Sequence, residues 1–202
     1  MPSKAAIEFD RARADAGVLV AAAGIRPRDR ANFASHKATC LRAALAMLVA
    51  AWEAYLERLV REVQRDIADP AQVRLSAVLS LLTLVSEKEV KRFNTPNASN
   101  SRDLLFVHTG YDPINDWQWA AGHLSGVQAR ERLDEILRIR HSFAHGFPVP
   151  TDIAWVKDRN RAGVLNATAL TSVDKFLAHM VRVTDSGMKG HLLSAFGFTA
   201  NW

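Results

Sequence analysis

Apolar residues in this chain recur every three to four positions over long stretches, and strict alternation is almost absent, so the pattern predicts helices and no substantial sheet. A first helix is expected over Lys4–Ala23, closed by Gly24 with Pro27 just beyond. A second, much longer one is expected from about Asp29 to Ala68, with Leu41, Leu45, Leu48, Trp52, Tyr55, Leu59 and Val63 on one stripe. Glu53 and Glu57 fall on the other side and read as solvated carboxylates. Asp69-Pro70 is a stop and a restart, since Asp69 can cap and Pro70 suits a first helical position. The third helix, about Ala71 to Phe93, carries Val73, Leu75, Val78, Leu79, Leu81, Leu82, Leu84 and Val85 around most of its axis. That distribution predicts deep burial of its first half.

From Asn94 to Leu124 the periodicity breaks into loop and short helices, with His108, Trp117, Trp119 and His123 in the broken stretch. A loop-rich insertion of this length is often functional. Helical order returns at Ser125, where Ser125 and Gln128 form a capping-box pair, and ends at Gly146 and Pro148. A loop with Trp155 and the basic cluster Lys157, Arg159 and Arg161 follows. The last helix is expected over about Thr171 to Asp185, with Val173, Phe176, Leu177, Met180 and Val181 inward and an apolar tail over residues 186–202.

With 202 residues, the chain is long enough for one all-α domain with a sizeable core. A net charge of +5 favours an anionic partner only weakly. The one cysteine, Cys40, excludes an intrachain disulfide and a four-cysteine zinc site, and reads as a small apolar core group. The charged N-terminus does not resemble a signal peptide, and the apolar run Ala43 to Trp52 is far shorter than the ~20 residues of a membrane span. A soluble cytoplasmic protein, with no membrane contact, is the expectation.

The helix from Ser125 to Gly146 holds the candidate chemistry. Wound at about 100° per residue from Leu133, it places Ile136 near 300°, Leu137 near 40°, Phe143 near 280° and Ala144 near 20°. Arg140 falls near 340°, the middle of that apolar stripe, with His141 and His145 flanking it at about 80° and 120°. A guanidinium cannot shed its proton, so burying it requires a partner. A salt bridge to Glu62 of the long helix, snorkelling to solvent, and an anion-binding cleft are three ways to supply one.

Four chemistries can be set against these residues. His141 and His145 have the spacing of a helical zinc pair, but no third ligand is evident. No elbow motif surrounds a serine, and there is no phosphate-binding GxxxxGK[ST] loop. Metal-independent RNA cleavage needs a histidine and a fixed cation at the phosphate, which His145 and Arg140 supply.

Arg140-His141-Ser142-Phe143-Ala144-His145 resembles the signature of HEPN domains, an all-α superfamily of prokaryotic toxins, defence RNases and accessory modules. In that family an Arg, then four to six residues and a His, end a core helix, and the residue after the Arg is often Asn, Asp or His, as His141 is here. The resemblance extends over about residues 30–185, with an N-terminal helix (1–28) and the apolar tail (186–202) as additions. It implies a HEPN-like helical bundle with catalytic Arg140, His145 and His141, no metal and no cofactor. It also implies RNA as substrate, a homodimer formed through the motif helix, and an antitoxin or defence-system protein as partner. The expected products are a 2′,3′-cyclic phosphate and a 5′-OH. The competing reading is a non-catalytic HEPN module that binds a protein or nucleotide. Two departures matter. Toxins controlled by nucleotidyltransferase antitoxins carry Tyr two residues after the His, where this chain has Phe147. Counting an E-x3-K-R motif from Glu53, Arg58 is in register, but Glu57 stands where Lys belongs.

Overall fold

In the computed structural model, which describes residues 1–25, 32–67, 73–159 and 161–202, the predicted periodicity resolves into helices α1 (Lys4–Ala22), α2 (Phe33–Ile67), α3 (Val73–Val90), α4 (Ala98–Thr109), α5 (Gly126–Ala144) and α6 (Ala167–Phe196). A two-residue hairpin, β1 (Lys157–Asp158) paired antiparallel with β2 (Arg161–Ala162), is the sole sheet among the described residues. The Asp69-Pro70 break lies outside them.

Helix α2 is the hub. Its inward stripe from Leu41 to Val63 is fully buried, because α1, α4, α5 and α6 all pack around it. Aromatic rings fill the centre: Trp52 stacks on Tyr55 at 5.6 Å, and Phe9 and Trp117 meet them edge-on at 6.3 and 6.2 Å. Their polar atoms are satisfied in the interior, with Trp52 Nε1 donating to the Pro96 carbonyl and Trp117 Nε1 to Thr184 Oγ1. Helix α2 has the length and mean hydropathy of a membrane span, but half of its most apolar window is buried inside the protein, as in a core helix. Cys40 is half-buried against this core.

The N-terminus of α1 is held by two buried carboxylates. Ser3 caps the helix by accepting from the Ala6 N–H, while its own N–H and hydroxyl donate to Asp185 of α6 at 2.9 and 2.5 Å. The Lys4 and Ala5 N–H groups donate to Glu62 of α2 at 3.1 and 3.0 Å. These first-turn N–H groups have no partner inside their own helix, and negative charge is favourable there. Glu62 is therefore committed to α1 and is not the partner of Arg140.

Two expectations change, the burial of α3 and the end of α6. The apolar girdle of α3 is not buried where it can be seen: Val78, Leu81, Leu82, Leu84 and Val85 are each more than half exposed, and only Ser86 and Val90 are covered. Among the described residues, α3 is met near its C-terminal end, at Ser86, Glu87 and Glu89, and these five side chains are left largely uncovered. The side chains of residues 73–77 and 79 lie outside the description. The Asn94–Leu124 stretch is loop and short helices, as expected: α4, capped by Asn97 and by left-handed Gly110, then single 3-10 turns at Pro113–Asn115 and Ala120–Gly122. Helix α6 runs eleven residues past Asp185, through Gly187 and Gly190. Gly187 is required there, because a Cβ would overlap the Tyr111 hydroxyl and the Asp116 carboxylate.

Candidate functional site

Helix α5 begins with the predicted capping box, Ser125 and Gln128 each bonding the other's backbone N–H. It ends in a Schellman closure: Gly146 takes φ 71°, its N–H donates to the Phe143 carbonyl, and the Phe147 N–H reaches back to the Ser142 carbonyl at 2.7 Å. The sequence RHSFAHG thus places Arg140 and His141 on the last turn and His145 at the cap.

The buried edge of α5 rotates along its length. Ala129, Leu133, Ile136 and Leu137 hold the expected face, but Ile139 and Ser142 are buried near the end, while Phe143 is half-buried and Ala144 exposed. Arg140 is consequently half-buried at the margin of the packed face rather than sunk in its centre. Its guanidinium makes no hydrogen bond or ion pair to any described residue. It is felt electrostatically by Glu53 of α2, whose carboxyl is pushed above its ordinary value by burial and by neighbouring Glu57, with Arg140 pulling the other way. Glu53 is half-buried, not the solvated carboxylate that its place off the main stripe suggested.

His141 is half-buried and His145 exposed. Their rings lie nearly parallel, with centroids 6.5 Å apart, and the Phe147 ring lies 6.3 Å from His145. Ser142 is buried and donates to the Ile139 carbonyl, so it carries no free hydroxyl into the site. The Arg42 guanidinium of α2 sits 4.9 Å over the Phe143 ring and adds a second cation to this end of the bundle. The three predicted residues thus share one end of α5. Glu53, Arg42 and Phe147 are additional neighbours. Of these, Glu53 and Phe147 have a signal in the sequence, as the first position of the incomplete E-x3-K-R pattern and as the residue in the place of the Tyr, whereas Arg42 has none.

The other histidines singled out do not join them. His108 lies within the fold, with Nδ1 2.9 Å from Ser86 Oγ and Nε2 3.1 Å from Glu89, and links α4 to α3. His123 is exposed in a left-handed turn. Trp117 is core, and Trp119 packs on Phe176 and His179.

An all-α bundle in which a core helix ends in Arg, four residues and His is the arrangement of a HEPN domain. The sequence matches the RiboL-PSP-HEPN family over residues 27–160, more than half of the chain, and this protein belongs to that family. The match places it in a nuclease-like superfamily and includes the whole motif helix. No curated protein and no solved structure matches the chain.

Proposed function

We propose that this protein is a metal-independent endoribonuclease of HEPN type, soluble and cytoplasmic, acting as a toxin or in defence. The observation that carries the reading is the half-exposed guanidinium of Arg140, without a hydrogen bond or ion pair among the described residues, on the last turns of α5 with His141 and His145. A cation with unused planar donors suits a phosphodiester. A histidine can pass a proton in either direction near neutral pH.

In this reading a ribose 2′-oxygen attacks the adjacent phosphorus, forming the 2′-O–P bond as the P–O5′ bond breaks. His145 takes the 2′-hydroxyl proton, or delivers one to the departing 5′-oxygen, the other transfer falling to the second His145 of a dimer or to water. Arg140 stabilises the charge that builds on the phosphoryl oxygens. His141 orients Arg140 or contacts the RNA. A homodimer would bring two α5 ends together across a two-fold axis, and an antitoxin or defence-system protein would cover the site. The products are a 2′,3′-cyclic phosphate and a 5′-OH.

The test is cleavage of an unstructured RNA in EDTA by the wild type, with end-group analysis of the products. His145→Ala and Arg140→Ala should each lose roughly 10²–10⁴-fold in rate. Arg140→Lys should not restore it, and His141→Ala should lose less. Undiminished cleavage by a folded His145→Ala protein would overturn the reading. The second reading, a non-catalytic HEPN module, draws on the uncovered apolar face of α3, which suits a protein partner.

A further inference from the structure

The left-handed turn at Gly146 leads the chain out of α5 and leaves Phe147 64% exposed, its ring beside that of His145. A phenylalanine at that position fills no core. The chain then passes through Pro148 to Val149, which is nearly buried. There the chain meets the foot of the β1–β2 hairpin: the Gly163 N–H donates to the Val156 carbonyl, and a Cβ on Gly163 would lie 2.8 Å from the Val149 carbonyl oxygen. Three residues separate His145 from Val149, so the four Cα–Cα steps between them, even fully extended, put the hairpin foot within about 14 Å of the histidine. That is roughly four nucleotides of stacked single strand.

The hairpin is basic. Lys157, Arg159 and Arg161 are all exposed, against one carboxylate, Asp158. Arg159 takes φ 44° at the turn. None of these three cations forms an ion pair with a described residue. No large apolar side chain of the hairpin accompanies them, which disfavours a protein contact with a dry centre. An exposed aromatic ring followed by a short run of free cations is the pattern that holds single-stranded nucleic acid. A base stacks on the ring, and the cations follow the backbone. Duplex RNA does not offer its bases in this way.

We propose that Phe147 and the cations Lys157 and Arg161 of strands β1 and β2, with Arg159 beside them, form a single-strand RNA subsite leading away from Arg140 and His145, with one base stacked on Phe147 and the neighbouring phosphates on Lys157, Arg159 and Arg161. The identity of the ligand rests on the ribonuclease reading. The subsite makes the enzyme specific for unpaired RNA that extends several nucleotides beyond the scissile bond, and gives Phe147 a role that needs no hydroxyl.

The experiment measures binding to a labelled 12-nucleotide 2′-O-methyl oligonucleotide of A and C, which cannot be cleaved because its 2′-oxygens are blocked, and to the matching duplex, over a range of salt. Wild type should prefer the single strand. Phe147→Ala should weaken binding about fivefold or more, and Phe147→Trp should retain it. Replacing Lys157, Arg159 and Arg161 together by Gln should reduce the slope of log K against log salt by about 2. All four side chains are exposed, so melting curves should match wild type. Binding within twofold of wild type with an unchanged slope, or a preference for duplex, overturns the subsite. If His145 is essential for cleavage of unmodified RNA while these variants bind normally, the subsite alone is wrong. If they lose binding while His145→Ala still cleaves, the ribonuclease reading alone is wrong.

Discussion

An arginine keeps its proton in any environment a protein can offer, so the half-buried guanidinium of Arg140 has to be balanced from outside its own helix. Glu53 is the carboxylate that feels it, and the two sit on different helices. Removing the cation leaves burial and Glu57 unopposed, so Arg140→Ala should raise the Glu53 pKa further above the ordinary carboxylate value, as read by carbon-detected NMR titration. The sign for stability follows. A carboxyl whose folded pKa is raised holds protons that the unfolded chain has released, so its contribution falls as pH rises from the ordinary value, 4.5, through the folded one. The variant should therefore lose more stability relative to wild type at pH 7 than at pH 4. The difference should stay below about 1 kcal/mol because the pair is partly open to solvent. An equal effect at both pH values would mean that Arg140 and Glu53 are not coupled.

At the scale of elements, buried polar geometry decides where helices start and how close they come. Glu62 and Asp185 occupy the N-terminus of α1, and cutting Glu62 back to Ala strands the buried Ala5 N–H and the part-buried Lys4 N–H. Chemical denaturation of Glu62→Ala should show a loss of about 2–3 kcal/mol, and Glu62→Gln a smaller one. A wild-type curve for Glu62→Ala would show that water replaces the carboxylate. In α6 two glycines differ sharply. Gly187→Ala must push aside Tyr111 and Asp116 and should cost roughly 1–3 kcal/mol, whereas Gly190→Ala meets open space and should stabilise by roughly 0.5–1 kcal/mol. Similar melting temperatures for the two variants would contradict this packing.

For the whole molecule, the family match ends at residue 160, yet the bundle is completed by helices outside it. α1 inserts Phe9 into the core, and α6 supplies Phe176, Met180 and the polar anchor Asp185. The proposed composite site requires a second copy, so light scattering at micromolar concentration should give a dimer, and a charge-reversing change at exposed Arg138 near the end of α5 should weaken it. A monomer would leave each α5 end with half of the proposed machinery. The α3 face would then be the uncovered surface that most needs a partner.

Periodicity, capping residues and glycine stops are local, and they were enough to place the helical class, α1, α2 and α5 to within a few residues, the capping box at Ser125 and the Arg140–His145 motif. The rest depended on contacts between distant residues. The exposure of α3 is not legible in its sequence, because hydrophobicity states a need for cover and not whether the chain supplies it. The end of α6 lies beyond where the sequence predicts it, because two glycines look like a stop until Tyr111 and Asp116 are brought against one of them. The salt bridge from Glu62 to Arg140 stands open as one alternative in the sequence, because nothing in the neighbourhood of Glu62 along the chain reveals that the first N–H groups of α1, almost sixty residues away, claim it. The motif itself was legible because all its members lie on one turn and a half of one helix. Which edge of that helix is buried at its end, how far Arg140 is exposed, and that Glu53 answers it were decided only when α2 and α5 packed together.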